Sequence, residues 1–237
     1  MTQIDVRAFD QYEAAGWELV AAFYERVWSP TTSQAVDSLL DAAGVEAGMR
    51  VVDVGTGAGD AAGRASERGA QATGVDVAAA MVEIAARRYP AASFVEASIT
   101  ALPFEDESFD AAVGNMVIQH VGEPDRAARE LFRVLAPGGR VALSTWDAPD
   151  RSPFFAALLG AIADAQVPPP TETPPGPSFY QYADDDAFGG LLGTAGFVHA
   201  SVGTIAVEFP LESADDLITA LAEGTVRTGA LLRAAGE

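Results

Sequence analysis

The chain of 237 residues has no cysteine and no lysine, so all 14 of its basic residues are arginine. Without cysteine it has no disulfide framework, no thiol nucleophile and no thiolate metal site, and we expect no metal site of another kind. The formal net charge of −20 argues against nucleic acid and anionic membranes as partners, because binding to phosphates requires a basic surface.

Long apolar runs are also absent, since none approaches the ~20 residues that a membrane span requires. Residues 1–5 lack the basic and apolar regions of a signal peptide. We therefore expect a cytoplasmic protein without a membrane partner. A chain of this length is ample for one large domain with a buried core, alone or with a small lid.

The middle of the chain alternates between short apolar segments and amphipathic ones. This pattern predicts parallel βαβ units with right-handed crossovers, and therefore a doubly wound α/β fold. The predicted strands are residues 50–54, 71–76, 92–96, 109–115 and 140–146, and the predicted helices between them are residues 59–68, 78–88 and 125–136.

Helical segments precede and follow this middle part. Residues 7–28 and 31–43 are predicted to be helical, and the first of these segments is rich in aromatic residues. After residue 146 we predict helix 153–165, a proline-rich stretch over 168–177, helix 183–195, strand 198–209 and helix 213–223. We expect three parts: an N-terminal helical lid (1–44), a ligand-binding core (45–150) and a substrate lid that includes the remaining core helix and strand (151–237).

A glycine-rich run, Asp53-Val54-Gly55-Thr56-Gly57-Ala58-Gly59, follows the first predicted strand, and Asp76 ends the second. Glycine is required where the backbone lies against a ligand or adopts positive φ. A carboxylate at the end of the second strand suits the two hydroxyls of a ribose. The spacing therefore predicts a nucleoside pocket at the carboxyl edge of the sheet.

The identity of the nucleoside depends on the third position of the dinucleotide fingerprint, where this chain has Asp60 instead of glycine. No basic residue occurs between Arg50 and Arg64. A pyrophosphate would meet a negative field there, whereas a ligand with a cationic amine and a sulfonium would be attracted. This disfavours a nicotinamide oxidoreductase.

The glycine-rich run resembles the first motif of the class I S-adenosylmethionine-dependent methyltransferases, in particular the ubiquinone/menaquinone-type and small-molecule branch. Further motifs of that family follow in order over about residues 45–147, namely Gly74-Val75-Asp76-Val77, Phe94 to Phe104, Ser108 to Val121 and Arg133 to Gly139. The resemblance implies a Rossmann-like, mainly parallel sheet. We expect the antiparallel last strand of that fold to be missing from the given chain.

The resemblance implies S-adenosylmethionine as cofactor and S-adenosylhomocysteine as product. Asp53 would serve the cofactor's amine and Asp76 its ribose, while Ser98 stands where relatives carry an aspartate for the adenine. The full set of expected cofactor-binding residues is Asp53, Gly55, Thr56, Gly57, Gly59, Asp76, Val77, Met81, Ser98, Ile99 and Asn115.

His120 is the candidate general base, because its position matches a histidine at the pocket mouth of relatives and its ring titrates near working pH. The alternative is that it only orients its loop. Expected substrate-binding residues are Tyr12, Trp17, Tyr24, Gln119, Trp146 and Tyr180, although single aromatic residues more often serve packing.

The aromatic flanks favour methyl transfer to a small hydrophobic or aromatic acceptor in secondary or quinone-type metabolism, with O-methylation preferred. The alternative is a protein of the same fold that binds S-adenosylmethionine and catalyses another reaction, such as a cyclisation. Exposed aromatic residues in the first helix leave a homodimer open.

Overall fold

The computed structural model describes residues 4–167, 170, 173–210 and 213–235. Within these ranges five parallel strands form one sheet in the order β3-β2-β1-β4-β5. The strands are β1 (Arg50–Val54), β2 (Gln71–Asp76), β3 (Ser93–Glu96), β4 (Phe109–Gly114) and β5 (Leu135–Leu143). The helices are α1 (Val6–Val27), α2 (Ser29–Thr32), α3 (Val36–Ala42), α4 (Asp60–Glu67), α5 (Ala79–Arg88), α6 (Pro124–Val134), α7 (Pro153–Asp164), α8 (Asp185–Ala195), α9 (Ala214–Gly224) and α10 (Arg227–Ala235). The predicted doubly wound α/β core is confirmed.

Strand β1 lies at the centre of the sheet, between β2 and β4. Helices cover both faces of a parallel sheet, so its strands are apolar on both sides. Val52 and Val54 pack in one cluster with Leu131 of α6, while Val51 packs in a second cluster with Leu40 of α3. The loops after β1, β2 and β4 therefore emerge together at the carboxyl edge, where ligands bind in such sheets.

Strand β5 begins earlier and ends earlier than the predicted strand 140–146. Leu135 pairs with Phe109, and regular pairing then resumes between Arg140 and Ala111. The residues between these two pairs form an irregularity in which Gly138 has φ 84°. The Pro137-Gly138-Gly139 turn therefore lies within the strand instead of preceding it.

The predicted strand over residues 198–209 is wrong, since these residues have no strand conformation. The segment runs along the surface, and Val198 is 77% exposed. Its end is fixed by side chains from the N-terminal part of the chain. The amide of Gln34 donates to the carbonyl of Glu208 at 2.7 Å, and Phe209 stacks on Trp28. Residues 168, 169, 171 and 172 of the predicted proline-rich stretch lie outside the described residues.

Helix α1 begins at an N-cap, because the Asp5 carboxylate accepts a hydrogen bond from the Ala8 amide at 3.1 Å. The helix lies along α5. Glu18 accepts from the Ala80 amide at 2.9 Å near the start of α5, and Glu25 pairs with Arg87 at 2.8 Å near its end. This alignment carries the first half of α1 beyond the start of α5 and over the carboxyl edge of the sheet.

Helices α9 and α10 form a hairpin, hereafter the C-terminal hairpin, that packs against α1. The Trp28 indole donates to the Ala220 carbonyl at 2.8 Å. Gly16 allows the close approach, because a β-carbon there would lie 2.4 Å from Val226 Cγ1. Helix α10 was not predicted. None of the helices in the described part of the chain is long and apolar enough to cross a membrane.

Candidate active site

The loop between β1 and α4 contains three glycines with positive φ. Gly55, Gly57 and Gly59 have φ values of 64°, 53° and 89°. A β-carbon on Gly55 would lie 2.3 Å from Cγ2 of Val117, so the backbone here touches the loop after β4. A β-carbon on Gly57 would meet only the Tyr24 ring, at 3.6 Å. The loop therefore presents bare backbone at Gly57, as the glycine spacing predicts.

Asp53, the residue expected to serve the cofactor's amine, lies at the base of the glycine-rich loop. Its side chain is buried beneath the loop, where Oδ2 accepts from the Thr56 hydroxyl at 2.6 Å and from the Ala62 amide at 3.0 Å. Burial raises the pKa of Asp53 to about 7. Asp53 and Thr56 thus hold the shape of the loop from below. Gly59 also shapes the loop, because it is the left-handed residue immediately before α4.

Asp76 lies at the end of β2, and its carboxylate is tied to the glycine-rich loop. Oδ2 accepts from the Gly57 amide at 2.9 Å, and Oδ1 accepts from the Ala78 amide at 3.0 Å. Burial raises the pKa of Asp76 although these amides oppose the shift. The bonds fix the carboxylate at the edge of a cavity.

This cavity, hereafter the strand-end cavity, lies where the loops after β1, β2, β3 and β4 meet. Most of the expected cofactor-binding residues line it: Gly55, Gly57, Asp76, Val77, Met81, Ser98, Ile99 and Asn115. Asp53, Thr56 and Gly59 do not. The Ser98 hydroxyl is already engaged with the hydroxyl and the amide of Thr100, at 2.9 Å and 3.2 Å.

The negative field inferred from Asp60 is largely compensated in the structure. Two nitrogens of the Arg88 guanidinium contact the Asp60 carboxylate at 2.9 Å and 3.0 Å. Burial opposes the charged form of Asp60, but Arg88, Ser29 and Tyr89 outweigh it and hold the pKa of Asp60 below its ordinary value. The loop is therefore less negative than its local sequence suggests, because the neutralising arginine, Arg88, lies on α5, outside the loop.

His120 lies in the short 3-10 helix after β4 and pairs with a buried glutamate on α1. Its Nδ1 is 2.9 Å from Oε2 of Glu13, which also accepts from the Trp17 indole at 3.1 Å. Arg227 of α10 approaches the other oxygen of Glu13, with Nε 2.8 Å from Oε1. Burial would raise the pKa of Glu13, but His120, Arg227 and Trp17 reverse this effect and lower it. The side chain of Glu13 is therefore held as a carboxylate.

A second cavity, hereafter the aromatic cavity, adjoins the first. It is lined by the rings of Trp17, Tyr24, Trp28, Trp146, Phe155 and Phe179, and by residues 224–228 of the C-terminal hairpin. Trp17, Tyr24, Met116 and His120 line both cavities and therefore lie at the boundary between them. Met116 has φ 55°, an uncommon conformation for a residue other than glycine. Such strain is often found at functional sites.

Three expected substrate-binding residues do not line either cavity. The Tyr12 hydroxyl contacts the Thr173 hydroxyl at 3.2 Å, and the buried Gln119 amide donates to the Met116 carbonyl at 2.8 Å. Tyr180 packs edge-on against Phe155. Trp17, Tyr24 and Trp146 do line the aromatic cavity.

Four cavity residues have no motif in the sequence that marks them as functional, namely Asp10, Glu13, Phe179 and Arg227. Asp10 and Glu13 line the strand-end cavity, and Phe179 and Arg227 line the aromatic cavity. One available signal was Glu13 itself, an acid one helical turn before Trp17 on the aromatic face of α1. No comparable signal marks Arg227, whose position depends on an unpredicted helix.

Comparisons with known proteins agree with this architecture. The family model described as "Methyltransferase domain" matches residues 52–143. A demethylmenaquinone methyltransferase of Renibacterium salmoninarum is 31% identical over 144 residues, which cover 61% of each chain. A ubiquinone/menaquinone biosynthesis C-methyltransferase of Bartonella henselae is 44% identical over 100 residues, which cover 38% of each chain.

Among solved structures, a putative S-adenosyl-L-methionine-dependent methyltransferase from Methanococcus maripaludis shares the fold. Its TM-score is 0.50 at 18% identity, covering 65% of this chain and 72% of that one. The chain thus spans about three fifths of the length of the Renibacterium relative. The matched domain and the sheet order together show a methyltransferase domain over residues 52–143 with the fold of the class I methyltransferases.

Proposed function

We propose that this protein transfers a methyl group from S-adenosylmethionine to a hydroxyl of a small, apolar, aromatic acceptor. The observation that carries the proposal is that the strand-end cavity and the aromatic cavity meet at His120, whose ring is held by the buried Glu13. A nucleoside site, an apolar site and a base between them are the parts that such a reaction needs.

The residues of the strand-end cavity fit the cofactor. The bare backbone at Gly57 suits the methionine part, the Asp76 carboxylate suits the ribose hydroxyls, and Val77 and Met81 provide an apolar wall for the adenine. When bound, S-adenosylmethionine supplies a methyl group that its sulfonium already activates.

The protein's own contribution is then to orient the acceptor, accept its proton and exclude water. The Glu13 carboxylate accepts a hydrogen bond from Nδ1–H of His120, which leaves Nε2 with its lone pair. Nε2 has no hydrogen-bond partner among the described residues. It is therefore the atom that takes the acceptor's hydroxyl proton, while the surrounding rings hold a flat molecule in place.

The same arrangement supports the division of the chain into three parts. Residues 45–150 are the cofactor core, while residues 1–44 and 151–237 cover the acceptor side. Trp17 and Tyr24 come from the first of these covering parts, and Phe155 and Phe179 come from the second. A homodimer, a cytoplasmic location and the lack of a nucleic-acid partner stay predictions from the sequence.

The names of the relatives also support a quinone-type or phenolic acceptor, although one of them is named a C-methyltransferase. Removal of a hydroxyl proton activates a phenol at oxygen and also at ring carbon. The pair of His120 and Glu13 therefore suits methylation at either atom. We favour the oxygen, because a base beside the reacting atom acts most directly there.

Calorimetric titration with S-adenosylmethionine, S-adenosylhomocysteine and NAD(P) tests the cofactor. Incubation with a panel of phenols and hydroxyquinones, followed by mass spectrometric detection of S-adenosylhomocysteine, tests the reaction, and NMR of the product locates the methyl group. His120→Gln should lower turnover by roughly 10²- to 10⁴-fold, the usual contribution of a general base, with little change in cofactor affinity. His199→Gln is the matched control, since His199 is exposed on the surface.

Binding of the dinucleotide alone would refute the cofactor assignment. Cofactor binding without S-adenosylhomocysteine formation across the panel would instead favour the alternative of a non-methyl-transfer reaction such as cyclisation. Unchanged turnover in His120→Gln would remove the histidine from the reaction. A product methylated on carbon would correct the preference for oxygen.

A further inference from the structure

Arg227, the first residue of α10, is a largely buried cation, with 19% of its side chain exposed, and it is fixed on several sides. Its Nη2 donates to the Gln119 carbonyl at 2.6 Å, and its Nη1 donates to the Pro177 carbonyl at 3.4 Å. The guanidinium also lies over the rings of Phe9 and Phe179, 5.3 Å and 5.0 Å from their centroids. A cation held this way has one preferred position.

That position places Arg227 against the oxygen of Glu13 that His120 does not use. Arg227 Nε is 2.8 Å from Oε1, whereas His120 Nδ1 and the Trp17 indole contact Oε2. Oε1 and Nε are both buried and do not meet in hydrogen-bond alignment, so the contact acts through charge. Arg227 is thus the permanent counter-ion of Glu13.

Two further titratable groups near this contact, Asp10 and Tyr12, come from α1. Asp10 lies one turn earlier on α1, and its Oδ1 accepts from the Gly122 amide at 2.8 Å. Tyr12 lies near Arg227 and favours the charged form of its guanidinium. The loop after β4 contributes His120, and α10 contributes Arg227. Of the groups in direct contact with the carboxylate, two can carry positive charge, and only the arginine carries it at every working pH.

A buried carboxylate needs a positive partner, because an isolated charge in the interior is strongly unfavourable. If Arg227 fills this role, His120 need not be charged, and a neutral ring that donates Nδ1–H keeps its lone pair on Nε2. Without Arg227 the proton balance changes in one of two ways. Either His120 becomes the cation, or Glu13 takes up a proton and donates it to Nδ1, and in both cases Nε2 carries a hydrogen.

We propose that Arg227 is a positioning residue that supplies the counter-charge of Glu13, so that His120 remains neutral with Nε2 free to accept a proton. The inference rests on the proposed function for its purpose, although the protonation state that it specifies can be measured without any acceptor. Because Arg227 starts α10, it also makes the readiness of the base depend on docking of the C-terminal hairpin.

The chain has only two histidines, so ¹⁵N-histidine labelling of the ligand-free protein gives two ring spectra, and His199 serves as an internal reference. At about one pH unit above the ordinary histidine pKa of about 6.5, His120 in the wild-type chain should show an unprotonated Nε2. Arg227→Gln should lose that signal and show a protonated Nε2. Arg227→Lys should restore it, because the charge returns.

Arg233→Gln is the matched control, since Arg233 lies on the same helix and donates to the Ala222 carbonyl within the hairpin. It should leave the His120 spectrum unchanged. The double variant Glu13→Gln/Arg227→Gln, which removes both charges, should recover a ring without charge and an unprotonated nitrogen in the His120 spectrum. A purely structural role for Arg227 would not be repaired by a second substitution.

An unprotonated Nε2 in Arg227→Gln, or equal changes in Arg227→Gln and Arg233→Gln, would overturn the inference. If Arg227→Gln fails to fold, recovery of folding in the double variant supports the counter-charge role, and failure of both variants overturns it. Lack of methyl transfer would refute the proposed function without altering these spectra, so the two failures are distinguishable.

Discussion

Alanine at Gly55 and alanine at Gly57 form a matched pair that tests how the glycine-rich loop is built. Both residues have positive φ, 64° and 53°, so both substitutions force an L-residue into the left-handed region. Only one creates a collision. The added methyl would lie 2.3 Å from Val117 Cγ2 at Gly55, whereas at Gly57 its nearest neighbour is Tyr24 Cε1 at 3.6 Å.

The expected costs follow from these contacts. The left-handed conformation costs an L-residue about 1–2 kcal/mol, and overpacking of a well-packed site adds about 1–3 kcal/mol. Gly57→Ala should therefore lower the free energy of unfolding by about 1–2 kcal/mol, and Gly55→Ala by about 2–5 kcal/mol, from the sum of the two terms.

Urea denaturation followed by circular dichroism measures these free energies, provided that the slope of the transition is unchanged. Gly48→Ala is the control for conformation alone, since Gly48 has φ 85° and no heavy atom within 4 Å of an added β-carbon. Val117→Ala combined with Gly55→Ala closes a double-mutant cycle, whose coupling energy isolates the collision.

The same pair separates stability from binding. The methyl group of Gly57→Ala would project toward the strand-end cavity, so S-adenosylmethionine affinity should fall about tenfold or more, which corresponds to about 1.4 kcal/mol. Its stability should match that of Gly48→Ala. Equal losses of stability in Gly55→Ala and Gly57→Ala would refute the reasoning, and so would a Val117→Ala background that leaves the Gly55→Ala loss unchanged.

Two further predictions concern pH. Burial raises the pKa of Asp53 from 3.8 to about 7, so ionisation of this group lowers the stability of the protein as the pH rises from about 3.8 through about 7. Asp53→Asn should reduce that loss by up to about 1.4 kcal/mol per pH unit, measured as the free energy of unfolding in urea. An unchanged dependence on pH would contradict the assignment. Asp60 behaves oppositely, since Arg88 and two hydroxyl donors outweigh burial and hold its pKa below 3.8, so its contribution is present above that pH and lost as the pH falls through the folded value; Asp60→Asn should therefore destabilise the protein at neutral pH and less so in acid. The exposed ion pairs of Asp37 provide the comparison, and Asp37→Asn should cost no more than about 1 kcal/mol at neutral pH.

The sequence predicts the core of the fold well, because the signals there are local. Alternating apolar segments and the glycine-rich loop specify β1, β2 and the connection to α4, and Asp76 lies at the cavity edge as expected. The carboxyl ends of parallel strands meet at one edge, so the order of the motifs along the chain is enough to bring these residues together.

The remaining differences come from contacts between residues far apart in the chain. Asp53 looks accessible in the sequence, but its side chain is buried below the loop, where Oδ2 accepts from Thr56 and Ala62. The apolar residues of 198–209 suggest a strand, yet that segment is held on the surface by Gln34 and Trp28. These partners are brought together by tertiary contacts, and neither the hydrophobic periodicity nor the strand propensity of a segment contains information about them.

The candidate base, too, combines a local sequence signal with contacts between residues far apart in the chain. His120 was identified from its motif, whereas its partner Glu13 lies on α1 and the partner of Glu13 lies on α10. No spacing rule connects these three residues, because each is placed by a different packing contact. The aromatic composition of the covering segments indicated an apolar acceptor site but not which rings form it.

The contact between Glu13 and Arg227 has a consequence for the order in which the molecule is assembled. Helix α1 is synthesised early and α10 late, and closing the long loop between them is entropically costly. Until Arg227 arrives, burying Glu13 would leave its carboxylate without a permanent counter-ion. Helix α1 therefore gains its full docking energy only after the Rossmann-like core has formed, and a nascent chain should retain a mobile, aromatic helix α1 until α10 has left the ribosome.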